Sequence, residues 1–355
     1  MAYTTIDDPE AYFQVKAYTG TGDDAESFTF DGDTDMQPDL TWFKNRGAAA
    51  WHNVYDSVRG VNKALATNAA NAEESRSDTM DSFDSDGFTL GNDTSQNPDG
   101  YNTNADGNTY VAWCWKAGTT SGLSGGGITP SGYSIDTTSK FGIYAYTGTG
   151  TAATITHGLG AVPKAMIIKK RNSATTGDWF FHHGSLASGN SLFFNSTNGQ
   201  DTSDFLGTAP TSTVFTVNSD YANKSSDTYI AYLFAEVQGF SSFGKFTGNG
   251  DADGPFIYTG FRPAFVITKR YEAHGENWYM FDNKRGGSNA GNHYLYPNIA
   301  NAEVQTEQID ILSNGFKCRS TNAAVNSSGA TLVYMAFASE PLVANVSSSI
   351  PATAR

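Results

Sequence analysis

The chain has 355 residues and a formal net charge of −14, with 39% hydrophobic, 13% aromatic and 16% charged residues and 37 glycines. An acidic surface repels phosphate backbones, so nucleic acid is excluded as a partner. No apolar run approaches the roughly 18 residues a bilayer span needs, which excludes membrane insertion, and the opening "MAYTTIDDPE" has neither the basic nor the apolar region of an export signal. Abundant Gly, Ser, Thr, Asn and aromatics, with little charge, predict an all-β fold, and the length predicts two or three domains.

In chain order, the first landmark is the turn "YTGTG" at Tyr18–Gly22. "QPDLTWFKNR" follows from Gln37, then Trp51, then an Asp-x-x-Arg-Gly pattern at Asp56–Gly60. "NKALATNAANAEE" from Asn62 contains good helix formers. Gly87-Phe88, Asn104 and Gly107 precede "TYVAWCWKAG" from Thr109. In this last segment Tyr110, Ala112 and Cys114 alternate with Val111, Trp113 and Trp115, so a strand here is apolar on both faces and needs two covers. The second cover can be loops of the same unit, a neighbouring unit or another subunit.

The landmarks then return in order. "YTGTG" recurs at Tyr146–Gly150 and "FTGNG" at Phe246–Gly250, each with a proline thirteen residues after its second glycine, at Pro163 and Pro263. These prolines open "VPKAMIIKKR" and "RPAFVITKR". Proline lacks a ladder donor and suits a strand start. Ala165–Ile168 and Phe265–Ile267 are expected to enter the core, with Lys169, Lys170, Arg171, Lys269 and Arg270 marking the exit to solvent. Trp179 and Trp278 follow as counterparts of Trp51, with a packing role favoured over a sugar-stacking one. Asp282–Gly286 repeats the Asp-x-x-Arg-Gly pattern, and Gly315-Phe316, Asn326 and Gly329 repeat the third landmark set. Closing strands are expected at "TYIAYLFAEV" from Thr228 and "TLVYMAFASE" from Thr331. "HYLYPNIANAEV" from His293 matches the helix-forming stretch of the first copy but carries Pro297 in its middle, so a strand or loop is expected in both.

The expected architecture is three tandem β-sandwich-like domains built from one diverged repeat. The first is 1–117, with a Gly/Ser/Thr-rich linker at 118–139, the second 140–239, the third 240–341, and a tail at 342–355. Units of about 100 residues are large enough to fold alone.

Candidate chemistry is sparse. "DGDTDMQPD" from Asp31 and "NGDADG" from Asn249 resemble the first half of a calcium loop, but Trp42 and Gly260 stand where its closing glutamate belongs. His52, His157, His182, His183, His274 and His293 fall in no zinc or metalloprotease spacing, and Cys114 and Cys318 form no CxxC pair. Asp84, Asp86 and Glu303 can be nominated as hydrolytic carboxylates only as readily as many others. The expectation is therefore no catalytic residue, no metal, no cofactor and no enzymatic activity.

The third repeat, with "GDADGPFIYTGFRPAFVITKR", "NWYMFDNKRG" and "SNGFKCRSTNAAVNSSGATLVYMAFASEP", together with the terminal "PATAR", resembles an uncharacterised domain family of virion structural proteins from marine tailed bacteriophages. The first repeat, with "WHNVYDSVRG" and "SDGFTLG", looks like a diverged relative; the second matches only through "YTGTG", Pro163 and its last strand. The resemblance implies a non-enzymatic tail fibre, tail-associated or head appendage protein, assembled in the host cytoplasm and released by lysis. Its implied partners are other virion proteins and further copies of itself, with a host-surface glycan as the alternative target. A glycan-degrading enzyme is the third reading.

Overall fold

A computed structural model describes residues 4–93, 100–173, 177–218, 221–286 and 291–343. The tail at 342–355 falls, from residue 344 on, outside them. The chain is all-β, with several antiparallel sheets and, among the described residues, a single helical turn, Ala323–Asn326, besides the short 3-10 turn Pro9–Ala11.

One frame of four strands occurs three times. Each repeat has an opening strand (Phe13–Thr19, Phe141–Thr147, Ser241–Thr247) and a closing strand (Thr109–Trp115, Thr228–Ala235, Thr331–Pro341). Beside the closing strand runs a lysine strand (Leu40–Asn45, Pro163–Lys170, Phe261–Arg270), then a return strand (His52–Asp56, Trp179–His183, Tyr279–Asp282). In all three sheets the order is opening, closing, lysine, return. The register matches too: Leu40, Ala165 and Phe265 lie opposite Trp115, Phe234 and Phe337. A smaller sheet covers the outer face of each: Glu26–Phe28 with Ser82–Asp84 and Gly87–Leu90 in the first repeat, Ala153–Thr156 with Val214–Val217 in the second. In the third repeat it comprises Phe256–Tyr258, Gly291–Tyr294, Val304–Leu312 and Gly315–Cys318.

The glycine turns earn their sequence locally. A side chain on Gly148 or Gly248 would meet the Lys224 or Ser327 carbonyl oxygen at 2.2 or 2.4 Å. Gly22, Gly150 and Gly250 take positive φ and donate their N–H to the carbonyls of Asn104, Asn223 and Asn326. The same three asparagines, fully buried, accept from the next turn through their side chains (Thr21, Thr149 and Asn249 N–H at 3.1, 2.8 and 2.9 Å). Asn223 belongs to this set although no glycine three residues later marks it.

The stretch 118–139, expected as a linker, contributes structure to the second repeat. Gly132–Asp136 pairs with Phe141–Thr147 as an edge strand, Ile128 is buried and bridges to Ile155, and Gly118 N–H donates to Ser134 Oγ. The helix-forming stretch is a strand, Lys63–Ala66, followed by loop, and its counterpart in the third repeat is the strand Gly291–Tyr294.

The second cover of the closing strands is the other repeats. Outward-facing Tyr110, Ala112 and Cys114 pack with Phe28, Phe88 and Leu90 under the small sheet of the first repeat; Tyr229, Ala231 and Leu233 do the same in the second. Inward-facing Val111, Trp113, Trp115, Ile230, Tyr232, Phe234, Val333, Met335 and Phe337 join one continuous core that draws on all three repeats. At its centre the equivalent residues Trp115, Phe234 and Phe337 touch pairwise, with ring centroids 5.5–6.1 Å apart. Three sheets thus face one another around a pseudo-threefold axis. Each unit is sandwich-like, its large sheet against its small one, and the units also share a core, because an inner face bearing so many large apolar side chains must leave water as well.

Candidate functional site

The polar chemistry of the molecule concentrates where one repeat meets the next. Lys44, Lys169 and Lys269 occupy equivalent places on the lysine strands and are wholly buried. This corrects the expectation that the Lys-Arg ends run out to solvent; Lys170, too, is buried and paired with Asp227. Each ammonium donates to carbonyls of its own repeat and of the preceding one. Lys169 bonds Gly177 O and, at 3.1 Å, Ala70 O of the first repeat; Lys269 bonds Glu276 O at 2.9 Å and Thr197 O of the second at 3.4 Å. Lys44 bonds Ala48 O and Ala50 O, and Ala300 O of the third repeat at 3.0 Å, closing the ring. Burial pulls Lys44 and Lys169 down to about 7 and Lys269 to about 8.

Further bonds repeat with the same handedness. Glu73 N–H donates to Arg171 O, Gln200 N–H to Tyr271 O and Glu303 N–H to Arg46 O, at 2.6–2.8 Å. Trp179 Nε1 donates to Ala66 O of the preceding repeat, and Trp278 Nε1 to Phe193 O. By register the third member of this set is His52, opposite Lys44 as Trp179 is opposite Lys169. The equivalence of Trp51 with these tryptophans is therefore off by one residue. Trp51 is half-buried at the edge, its ring against Tyr101, while buried His52 accepts from Trp42 Nε1 at 3.1 Å.

Among the described residues, two seams carry ion clusters and one does not. Where the first repeat meets the second, Arg59 pairs with Asp56 and Glu73, Arg171 grips Glu73 with two bonds, and Tyr232 Oη donates to Asp56 at 2.7 Å. Where the third meets the first, Arg285 pairs with Asp282 and Glu303, Arg46 grips Glu303 with two bonds, and Trp113 Nε1 donates to Asp282 at 3.0 Å. Burial raises the Glu303 carboxyl, but Arg46, Arg285 and His293 outweigh it and hold it at about 2. Where the second repeat meets the third, the four charged positions are neutral: His183, Leu186, Gln200 and Tyr271.

The nominated carboxylates each have partners within the protein. Glu303 is held as an anion by Arg46, Arg285 and His293. Asp84 accepts from the Ser82 and Thr89 hydroxyls, and Asp86 from Met36 N–H, so each has partners within its own repeat. Asp31 pairs with Lys16, and Asp253 with Lys317, so the acidic loops meet cations of the protein itself. Among the described residues no three His, Cys, Asp or Glu converge as a metal site would need. Cys114 and Cys318 are free and buried, and burial raises both thiols, Cys318 to about 12.

What the sequence reading missed lies on the surface. Phe256 and Tyr258 are 45% and 54% exposed, two positions apart on the edge strand Phe256–Tyr258, with Ile257 between them buried. Opposite Phe256 stands Lys317, and beyond it Asp310. Arg319 bridges Asp310 at 3.2 Å and approaches Asp253 and Glu307 at 3.8 Å. A Cβ placed on Gly315 would come within 3.1 Å of the Phe256 ring, so that ring lies close beside the glycine. Alternation within a three-residue strand is too short a signal to reveal this.

No curated protein and no solved structure matches the chain. A family model described as "Domain of unknown function (DUF7483)" matches residues 8–341, spanning all three repeats, and the chain belongs to that family.

Proposed function

We propose that the protein is a non-enzymatic structural protein of a tailed-phage virion, a tail fibre, tail-associated or head appendage protein. It acts through contacts with other virion proteins and further copies of itself, and through attachment to the host surface. The observation that carries the non-enzymatic half is the use made of buried charge: Lys44, Lys169, Lys269, Glu73 and Glu303 bond across from one repeat to the next, and Arg59 and Arg285 hold those two glutamates in place. Such groups stiffen a scaffold, and they stay with their partners instead of meeting a substrate. The virion half is supported by the sequence resemblance of the first and third repeats. Imaging of purified virions with proteomic assignment of their components tests it; particles lacking this chain would end the virion reading. Release of sugars from host capsular polymer by the pure protein would end the non-enzymatic one.

A carbohydrate-binding role is the second reading, favoured by the exposed Phe256 and Tyr258.

A further inference from the structure

The three repeats provide an internal control for every surface position. In the small sheets, Phe28 faces Phe88, Ile155 faces Phe215 and Ile257 faces Phe316, so these pairs are equivalent. The outward neighbours of Ile257 are then the counterparts of Ser27 and Thr29 in the first repeat and of Thr154 and Thr156 in the second. The fold is content with short hydroxyl side chains at both places. Only the third repeat puts two aromatic rings there, each about half exposed. The same sheet forms without them in two repeats, which points to binding as their use.

We propose that the outer face of the third repeat's small sheet binds a neutral glycan, with Phe256 and Tyr258 stacking on successive sugar rings. Residues two apart on a strand stand about 7 Å from each other on one face, a spacing that lets one chain of sugars cover both. The edge strand is held in place by its neighbours: Cys318 N–H donates to Pro255 O, Gly254 N–H to Cys318 O and Thr259 N–H to Asn314 O. Such a preordered platform loses little freedom on binding. Around the rings, Lys317 and Arg319 supply donors and Asp253, Glu307 and Asp310 supply acceptors, of both signs and interleaved. Sugar hydroxyls, each donor and acceptor at once, match that rim, while the C–H faces match the rings. A protein partner fits less well, since the centres of protein interfaces are depleted of Lys, Asp and Glu. The proposal rests on the attachment part of the function above, and its failure would leave the scaffold part standing.

The test uses the full chain and its double variant Phe256→Ser, Tyr258→Thr, which installs hydroxyl residues of the kind the fold carries at these places elsewhere. Affinity electrophoresis against soluble neutral glucan, mannan, galactan and xylan should retard the wild type on at least one. The variant should bind that polymer at least about tenfold more weakly, the worth of two lost ring stacks. Unchanged thermal unfolding of the variant confirms that the loss is local. Absence of retardation on all four polymers, or equal retardation of the variant, overturns the proposal. So does concentration-dependent self-association of the wild type that the variant abolishes, which assigns the face to a second copy.

Discussion

The buried lysines predict an unusual pH dependence. In the folded protein Lys169 is wholly buried and loses its proton near pH 7, against 10.5 for an ordinary lysine. Below pH 7 both folded and unfolded chains hold the proton, and the folded state carries the full cost of a desolvated ammonium. Above it the folded protein sheds the proton while the unfolded chain keeps it, so stability climbs with pH until the unfolded lysine titrates near 10.5. The slope approaches about 1.4 kcal/mol per pH unit for one lysine, which integrates to about 2.3 kcal/mol between pH 7 and 9. That is a ceiling, because the Ala70 and Gly177 carbonyls favour the charged form. Lys44 adds a similar climb, and Lys269 joins near pH 8. The other shifted groups contribute less: His182 and His183, pulled to about 4 by burial, add a rise that ends just above the ordinary histidine value, whereas Cys114 and Cys318, raised by burial, titrate near 9.0 only in the unfolded chain and take back part of the climb there. Urea unfolding followed by tryptophan fluorescence at pH 6, 7, 8 and 9 should show wild-type stability rising above pH 7. Lys169→Met should reduce that rise by up to about 1.4 kcal/mol per unit. A flat wild-type profile, or parallel profiles for the two proteins, would refute the reasoning.

Phe337→Ala opens a hole where Trp115 and Phe234 converge and should cost about 3–5 kcal/mol by chemical denaturation, with Tyr258→Ala nearly neutral as the surface control. Arg59→Leu alone leaves Asp56 buried without its cation beside Tyr232, while Arg171 still holds Glu73, and should cost about 3–5 kcal/mol. Changing Asp56→His, Arg59→Leu, Glu73→Gln and Arg171→Tyr together installs the neutral set of the second seam; it should recover most of that loss in the same unfolding assay.

The repeat was legible because its landmarks, the glycine turns, prolines and closing strands, are fixed by backbone geometry that tolerates few substitutes. The closing strands also announced their double burial, since alternation of large apolar residues on both faces has one physical meaning. Which body supplied the second cover was hidden: Trp115, Phe234 and Phe337 lie more than a hundred residues apart, and nothing local marks them as neighbours. The lysines misled for a related reason. A strand ending in Lys-Lys-Arg looks like one reaching water, and the carbonyls that cage Lys169 come partly from Ala70, ninety-nine residues upstream. His52 was overlooked because an adjacent tryptophan offered the more familiar match. Phe256 and Tyr258 stood out only when the repeats could be overlaid strand by strand.

The neutral seam between the second and third repeats shows what covalent linkage permits. In an assembly of three identical chains, any change at a joint is imposed on all three joints simultaneously, and a lost arginine strands three acids. Here each joint is encoded separately. One could shed its entire set of charges while two kept theirs, and one outer face could gain aromatic rings while the others stayed plain. Joined in one chain, the three repeats are three independently adjustable surfaces.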